Sequence, residues 1–202
     1  EPTYFLDFDD TNVQAFAEAN SNKNQTHKQN AIQLYYAVRD GFRYNPFVLD
    51  LRKEGLKASK LLTKNNGYCI EKAVLLAAVG RYVGIPSRLS FYIVANHIAT
   101  GRIEKVLKTN KLVFHGATEF NLGDKWLKVT PAFDARLCRH LGVATLEFDG
   151  TEDSIFQQFD NKGNVFMKYL HEYGDFDDMP YDLAISEFIK HYPHIFESKE
   201  YI

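Results

Sequence analysis

Cysteine is scarce in this chain: 2 in 202 residues, Cys69 and Cys138. That excludes a disulfide-stapled scaffold and favours a reducing compartment, and no Cys69–Cys138 bond is expected. An excess of either charge is missing too. Lys and Arg number 24 against 26 Asp and Glu, a formal net charge of −2, which argues against a nucleic-acid or anionic-membrane surface. No apolar run approaches the roughly 18–20 residues that span a bilayer, so no membrane association is expected. Internal repeats and low-complexity segments are absent, which removes solenoids and linkers. The opening Glu1-Pro2-Thr3-Tyr4 has neither the basic nor the apolar region of a leader and no initiator methionine. The expectation is a trimmed or processed chain, residing in the cytoplasm.

Apolar residues are plentiful, at 45% hydrophobic and 14% aromatic, enough for one domain over 1–202 with a sizeable core. The chain is organised around the stretch from Asn66 to Pro86. Asn65-Asn66-Gly67 is a turn cluster, and from Cys69 good helix formers run unbroken, with apolar residues at 70, 73, 74, 76, 77 and 78. That spacing predicts a central, buried helix, closed by Gly80, Gly84 and Ile85-Pro86. Cys69 falls in its first turn, where free backbone N–H groups, the helix dipole and nearby Lys72 favour a thiolate. A lone cysteine on a buried helix is as often an inert packing residue.

Before this stretch the pattern predicts helices near 12–20 and 27–39, an extended Arg43-Tyr44-Asn45-Pro46, and a short helix at 56–62. After it come a strand over 87–96, an irregular or partly helical basic segment over 97–110, and strands at 112–121 and 124–129. With Leu122-Gly123 as a two-residue hairpin loop, paired positions put His115 opposite Thr130. A helix at 135–141, a strand at 145–148 and helices at 166–173 and 181–191 complete the chain.

Cysteine nucleophiles need a lowered thiol pKa, a base in reach and donors for the oxyanion. Of seven histidines, His115 is best placed, on a strand whose ring can lie across the start of the helix. The backbone N–H of Cys69 is one oxyanion donor; Tyr44, Asn45, Asn65 and Asn66 are candidates for the second. His191 and His194 are interrupted by Pro193 and lack a third ligand, and Asp175, Asp177 and Asp178 read as a solvated turn, so no metal is expected. Cys138 and His140 lie two apart on a helix and cannot face each other. No phosphate-cradling loop is present, and no cofactor is expected.

The stretch Gly67-Tyr68-Cys69, with Ala73, Leu76, Arg81, Gly84-Ile85-Pro86 and Arg88, resembles the cysteine helix of the transglutaminase-like superfamily. His115-Gly116-Ala117-Thr118-Glu119, then Trp126 and Val129-Thr130-Pro131, resembles its histidine and third-residue strands. The resemblance covers about residues 30–135, and the chain ends resemble a bacterial subgroup. It implies a papain-like α+β fold, with the buried cysteine helix packed on an antiparallel sheet, Cys69 as nucleophile and His115 as base. The slot of the family's usual aspartate holds Thr130, which can orient an imidazole but adds no charge. This weakens an imidazolium by something on the order of 1–3 kcal/mol. Asp134, beyond a turn, and Glu119, on the same strand face as His115, are the carboxylates that could compensate. The family's Trp two residues after the histidine is replaced by Ala117. Tyr68, Glu119 and Trp126 are candidate substrate-binding residues.

The resemblance thus implies a cysteine enzyme acting on a peptide or protein amide through a Cys69 thioester, with hydrolysis favoured over transamidation. The alternatives are a non-catalytic binding module on the same fold and, less favoured, an arylamine N-acetyltransferase-type acyl transferase.

Overall fold

The computed structural model describes residues 1–98, 101–155 and 157–197. The predicted central helix is α4 (Cys69–Tyr82), with every residue from Cys69 to Gly80 buried. Around it stand α1 (Thr11–Ala19), α2 (His27–Gly41) and α3 (Ala58–Leu61), the last preceded by a 3₁₀ turn at Lys53–Leu56. Asp10 caps α1, and Thr26 caps α2 in a reciprocal pair with Gln29, which satisfies N–H groups that a helix start leaves free. Two short strands, β1 (Arg43–Tyr44) and β2 (Asn66–Gly67), pair in parallel and bring Tyr44 beside the start of α4.

The other side of α4 is covered by a four-stranded antiparallel sheet in the order β5-β4-β3-β6, formed by β3 (Ser87–Asn96), β4 (Lys111–Asn121), β5 (Trp126–Val129) and β6 (Met167–Phe176). β4 lies on α4 at close range. The Thr118 hydroxyl donates to the Ala73 carbonyl at 2.8 Å, and a Cβ at Gly80 would sit 2.6 Å from the Phe120 ring. Both contacts need small groups on the helix. α5 (Gly101–Leu107) joins β3 to β4, α6 (Ala135–Leu141) follows β5, and α7 (Tyr181–His191) with α8 (Pro193–Phe196) ends the described chain. The fold is the mixed helix and antiparallel sheet expected.

Three local expectations are corrected. Residues 167–173 form most of β6 rather than a helix: Met167, Lys168, Tyr169, His171 and Glu172 pair with β3 along an edge strand whose register shifts twice, and tertiary pairing overrides a weak helical pattern. Residues 145–148 make no strand, because the Leu146 carbonyl is taken by Tyr35 and Arg39 of α2. The β4–β5 hairpin turns on Gly123-Asp124 instead of Leu122-Gly123. Leu122 N–H donates to Lys125, Gly123 takes φ +95°, and glycine at the first central position suits the twist of a hairpin. The register therefore shifts by two: Thr118 pairs with Val129 and Glu119 with Lys128, and Thr130 no longer faces His115.

A bulge interrupts β4. Tyr92 pairs with His115 but Val94 with Leu112, so β4 carries one extra residue there, and Phe114 adopts φ +58°. A left-handed aromatic residue is strained, and such strain collects beside functional positions.

Candidate active site

Cys69 opens α4, as its sequence position implies. The Glu71 carboxylate turns back to accept the Tyr68 N–H at 2.8 Å and is held by Lys64 at 2.6 Å, which closes the first turn. Against this turn lies the segment after the bulge. A Cβ on Gly116 would come within 3.1 Å of Ile70 Cα, 3.3 Å of Ala73 Cβ and 3.4 Å of the Cys69 carbonyl. The Gly116 N–H, the Ile70 N–H and the Tyr68 hydroxyl all address the Cys69 thiol. The helix start and the histidine strand are thus packed backbone to backbone, with glycine at the point of approach. Gly116→Ala is expected to push β4 from α4, lowering stability by about 1–3 kcal/mol and the Cys69 alkylation rate severalfold. Urea denaturation and timed mass spectrometry check the two effects.

The thiol is fully buried, and burial pushes its pKa up to about 12 against the pull of the Gly116 N–H, the Tyr68 hydroxyl and the Ile70 N–H. The sequence-based expectation of a lowered thiol pKa is therefore reversed in this closed arrangement, where desolvation outweighs the helix start. Lys72 does not face the sulfur. Its ammonium, also fully buried, donates to the carbonyls of Arg39, Phe42 and Ala132, each at 2.8 Å. It joins α2, α4 and the turn after β5.

His115 sits one residue from Gly116 and is 1% exposed, and burial lowers its pKa to about 4. Neither ring nitrogen has a hydrogen-bond partner among the described residues. Its ring lies 6.5 Å from that of Phe133, which meets Tyr44 edge-on at 4.7 Å, and Tyr44 lies 5.8 Å from Tyr68. The structure therefore brings the cysteine and histidine segments together without a thiol–imidazole hydrogen bond.

The third-residue candidates stand as follows. The Thr130 hydroxyl is buried and unpartnered among the described residues. The Asp134 carboxylate caps α6 through the Arg136 and Leu137 N–H groups and also accepts the Tyr44 N–H at 2.9 Å. It fixes the strand that bears Tyr44 and makes no bond to the imidazole. Glu119 is fully buried four residues along β4. Arg88 holds it at 2.7 Å and Lys128 at 3.5 Å, while burial and Asp175 raise its pKa. Trp126, 37% exposed, carries the Arg88 guanidinium 4.2 Å over its ring. It pairs with Asn121, six residues from His115, or about 20 Å along the strand. Among the oxyanion candidates, Asn45 accepts the Phe47 N–H and Asn65 accepts the Asn66 side-chain amide, whereas the buried Tyr44 hydroxyl is unpartnered among the described residues.

Tyr192 is the residue that sequence reasoning missed. It lies 3% exposed between α7 and α8 and bridges β4, accepting from Val113 N–H and donating to the Lys111 carbonyl, both at 2.8 Å. A charge on Cys69 would bear on Tyr192 as it would on Tyr44 and Tyr68. Only the fold brings it across from the far end of the chain. The two cysteines are both free. No described helix is long and apolar enough to cross a membrane.

Comparison with known proteins agrees with this architecture. No curated protein matches the chain. Among solved structures it is similar to a crystal structure from Cytophaga hutchinsonii described as that of a "putative cysteine protease". The identity is 15% and the TM-score 0.50, over 87% of this chain and 52% of that one. The chain thus spans about half the length of that structure, and the likeness concerns the fold. Residues 14–131 match the model of the transglutaminase-like superfamily, a span that holds α4, Cys69, His115 and Thr130 and exceeds half the chain. The chain belongs to the transglutaminase-like superfamily.

Proposed function

We propose that this protein is a cysteine-dependent amide hydrolase or acyl transferase. In this reading the Cys69 sulfur attacks the carbonyl of a peptide or protein amide. His115 takes the thiol proton and returns it to the leaving amine, the C–N bond breaks, and a thioester remains. Water, activated by the same imidazole, then releases the acid. An amine in its place gives transamidation, and hydrolysis is the favoured outcome. The observation that carries the reading is the contact of the Cys69 turn with Gly116, which adds the Gly116 N–H to that of Ile70 at the thiol and packs the residue next to His115 in sequence against the helix start. The same N–H groups suit a thiolate or an adjacent oxyanion.

A second reading is a binding module that keeps the fold without turnover. It is favoured by the unpartnered imidazole and by the neutral state that burial imposes on both groups. Iodoacetamide labelling of Cys69, followed by mass spectrometry across pH, separates the two. An enzyme whose cleft opens to water labels quickly near pH 7, slows as the imidazole protonates on acidification, and loses the reaction in His115→Ala. A closed module labels only as pH climbs well above 9 towards the raised thiol pKa, with or without His115.

A further inference from the structure

Against Tyr68, whose hydroxyl addresses the thiol, lies a cavity of about 320 Å³, at the small end of the roughly 300–1,000 Å³ usual for ligand pockets. Its inner wall is Tyr68, the residue before the nucleophile, with Tyr192; Leu51, Leu107, Phe188 and Ile195 form the sides. None of the lining residues carries a charge. The two hydroxyls that could offer polar contact are already committed, Tyr192 to the β4 backbone and Tyr68 to the thiol. A charged or amide-bearing side chain entering here exchanges its water for a surface that is mostly apolar, at a net cost. At the mouth, Phe47 and Val106 are 39% and 44% exposed, and the Arg102 guanidinium lies 4.3 Å over the Phe47 ring.

We propose that this cavity receives an apolar, aromatic or branched aliphatic, side chain of the substrate next to the amide bond that Cys69 attacks. The proposal rests on the cysteine-enzyme reading for its reaction, and on the cavity alone for its selectivity. α7 and α8 supply part of the wall and lie beyond residue 131, outside the span matched by the family. Tyr68, Val106 and Leu107 lie within that span, so the cavity is built jointly by the family's core and this chain's C-terminal segment.

Chloromethyl ketones of N-acetyl-phenylalanine, -leucine, -glutamine and -lysine share one reactive group and differ only in the side chain. Each rate of Cys69 labelling is divided by the iodoacetamide rate of the same protein. The phenylalanyl and leucyl reagents are expected to react at least tenfold faster than the glutaminyl and lysyl ones. Val106→Glu, at an exposed position that tolerates the change, should bring the phenylalanyl-to-lysyl ratio near one. Leu107→Trp should lower the phenylalanyl rate by filling the space. Equal rates for all four reagents, or a preference unchanged in both variants, overturn the proposal. If Cys69 resists every reagent, iodoacetamide included, the cysteine-enzyme reading falls and the cavity is judged separately. Calorimetric titration of Cys69→Ala protein with N-acetyl-phenylalanine amide and N-acetyl-lysine amide then decides: a tenfold preference for the first supports the cavity, and equal or absent binding overturns it.

Discussion

Cys69→Ala is expected to abolish covalent labelling at this position and to reduce amide turnover by at least about 10⁴-fold, since removal of a nucleophile leaves only binding and oxyanion stabilisation. The fold should survive. The substitution removes one sulfur from a fully buried site, at a cost of roughly 1 kcal/mol. Cys138→Ala is the matched control. It too is a buried free thiol, but its neighbours are the Phe133 carbonyl and the Gln157 amide, with no histidine, and turnover should stay at the wild-type level. Turnover of peptide amides by both purified variants, with the label mapped by mass spectrometry, checks the pair. Loss of activity in Cys138→Ala alone would transfer the nucleophile's role elsewhere.

Lys72→Met should cause the largest loss of stability, on the order of 3–5 kcal/mol, a large share of the 5–15 kcal/mol typical of a domain. Methionine matches the length of the stem but strands the carbonyls of Arg39, Phe42 and Ala132 inside the protein. The effect carries a pH signature. Burial pulls the amine's pKa down to about 7 from 10.5, against the opposing pull of Asp134 and Asp40. Between those values the unfolded chain holds a proton that the folded amine has given up, so this group's contribution rises with pH across the window and is least below 7. The stability difference between wild type and Lys72→Met, from urea denaturation at pH 6 to 10, should therefore widen with pH. A difference that is small and flat would mean that the three carbonyls find other partners.

The family and its central elements were legible because they rest on local pattern. The wide apolar arc after Cys69, the turn at Asn65-Asn66-Gly67 and the Ile85-Pro86 stop specify α4 through short-range chemistry. The Thr26/Gln29 and Asp10 caps do the same for α2 and α1. The β4–β5 register was misplaced by two because the choice between Leu122-Gly123 and Gly123-Asp124 depends on which central position takes positive φ. β6 and the stretch at 145–148 were misread because β3 and α2, distant in sequence, decide what their backbones bond to. Cys69 and His115 are nameable as candidates from motif and spacing. Their burial was not, since it comes from side chains such as Tyr192 and Phe133 that arrive from elsewhere in the chain. That burial reverses the expected direction of the thiol's pKa. Asp134 illustrates the same limit: an aspartate before a short helix can serve as a cap or as a triad member, and here it is a cap.

The extra residue in β4 means that the strand before Phe114 and the strand after it are out of phase. Side chains in a strand alternate strictly, so the Lys111–Val113 stretch and the His115–Asn121 stretch obey different counts from the same partner, β3. Excising Val113 or Phe114 would leave Cys69 and His115 in the chain and would make the ladder continuous, with Leu112 still opposite Val94 and His115 still opposite Tyr92, yet it would remove the bend and extra twist that the bulge gives the strand just before the imidazole. At this point the number of residues is as binding a constraint on chemistry as their identity.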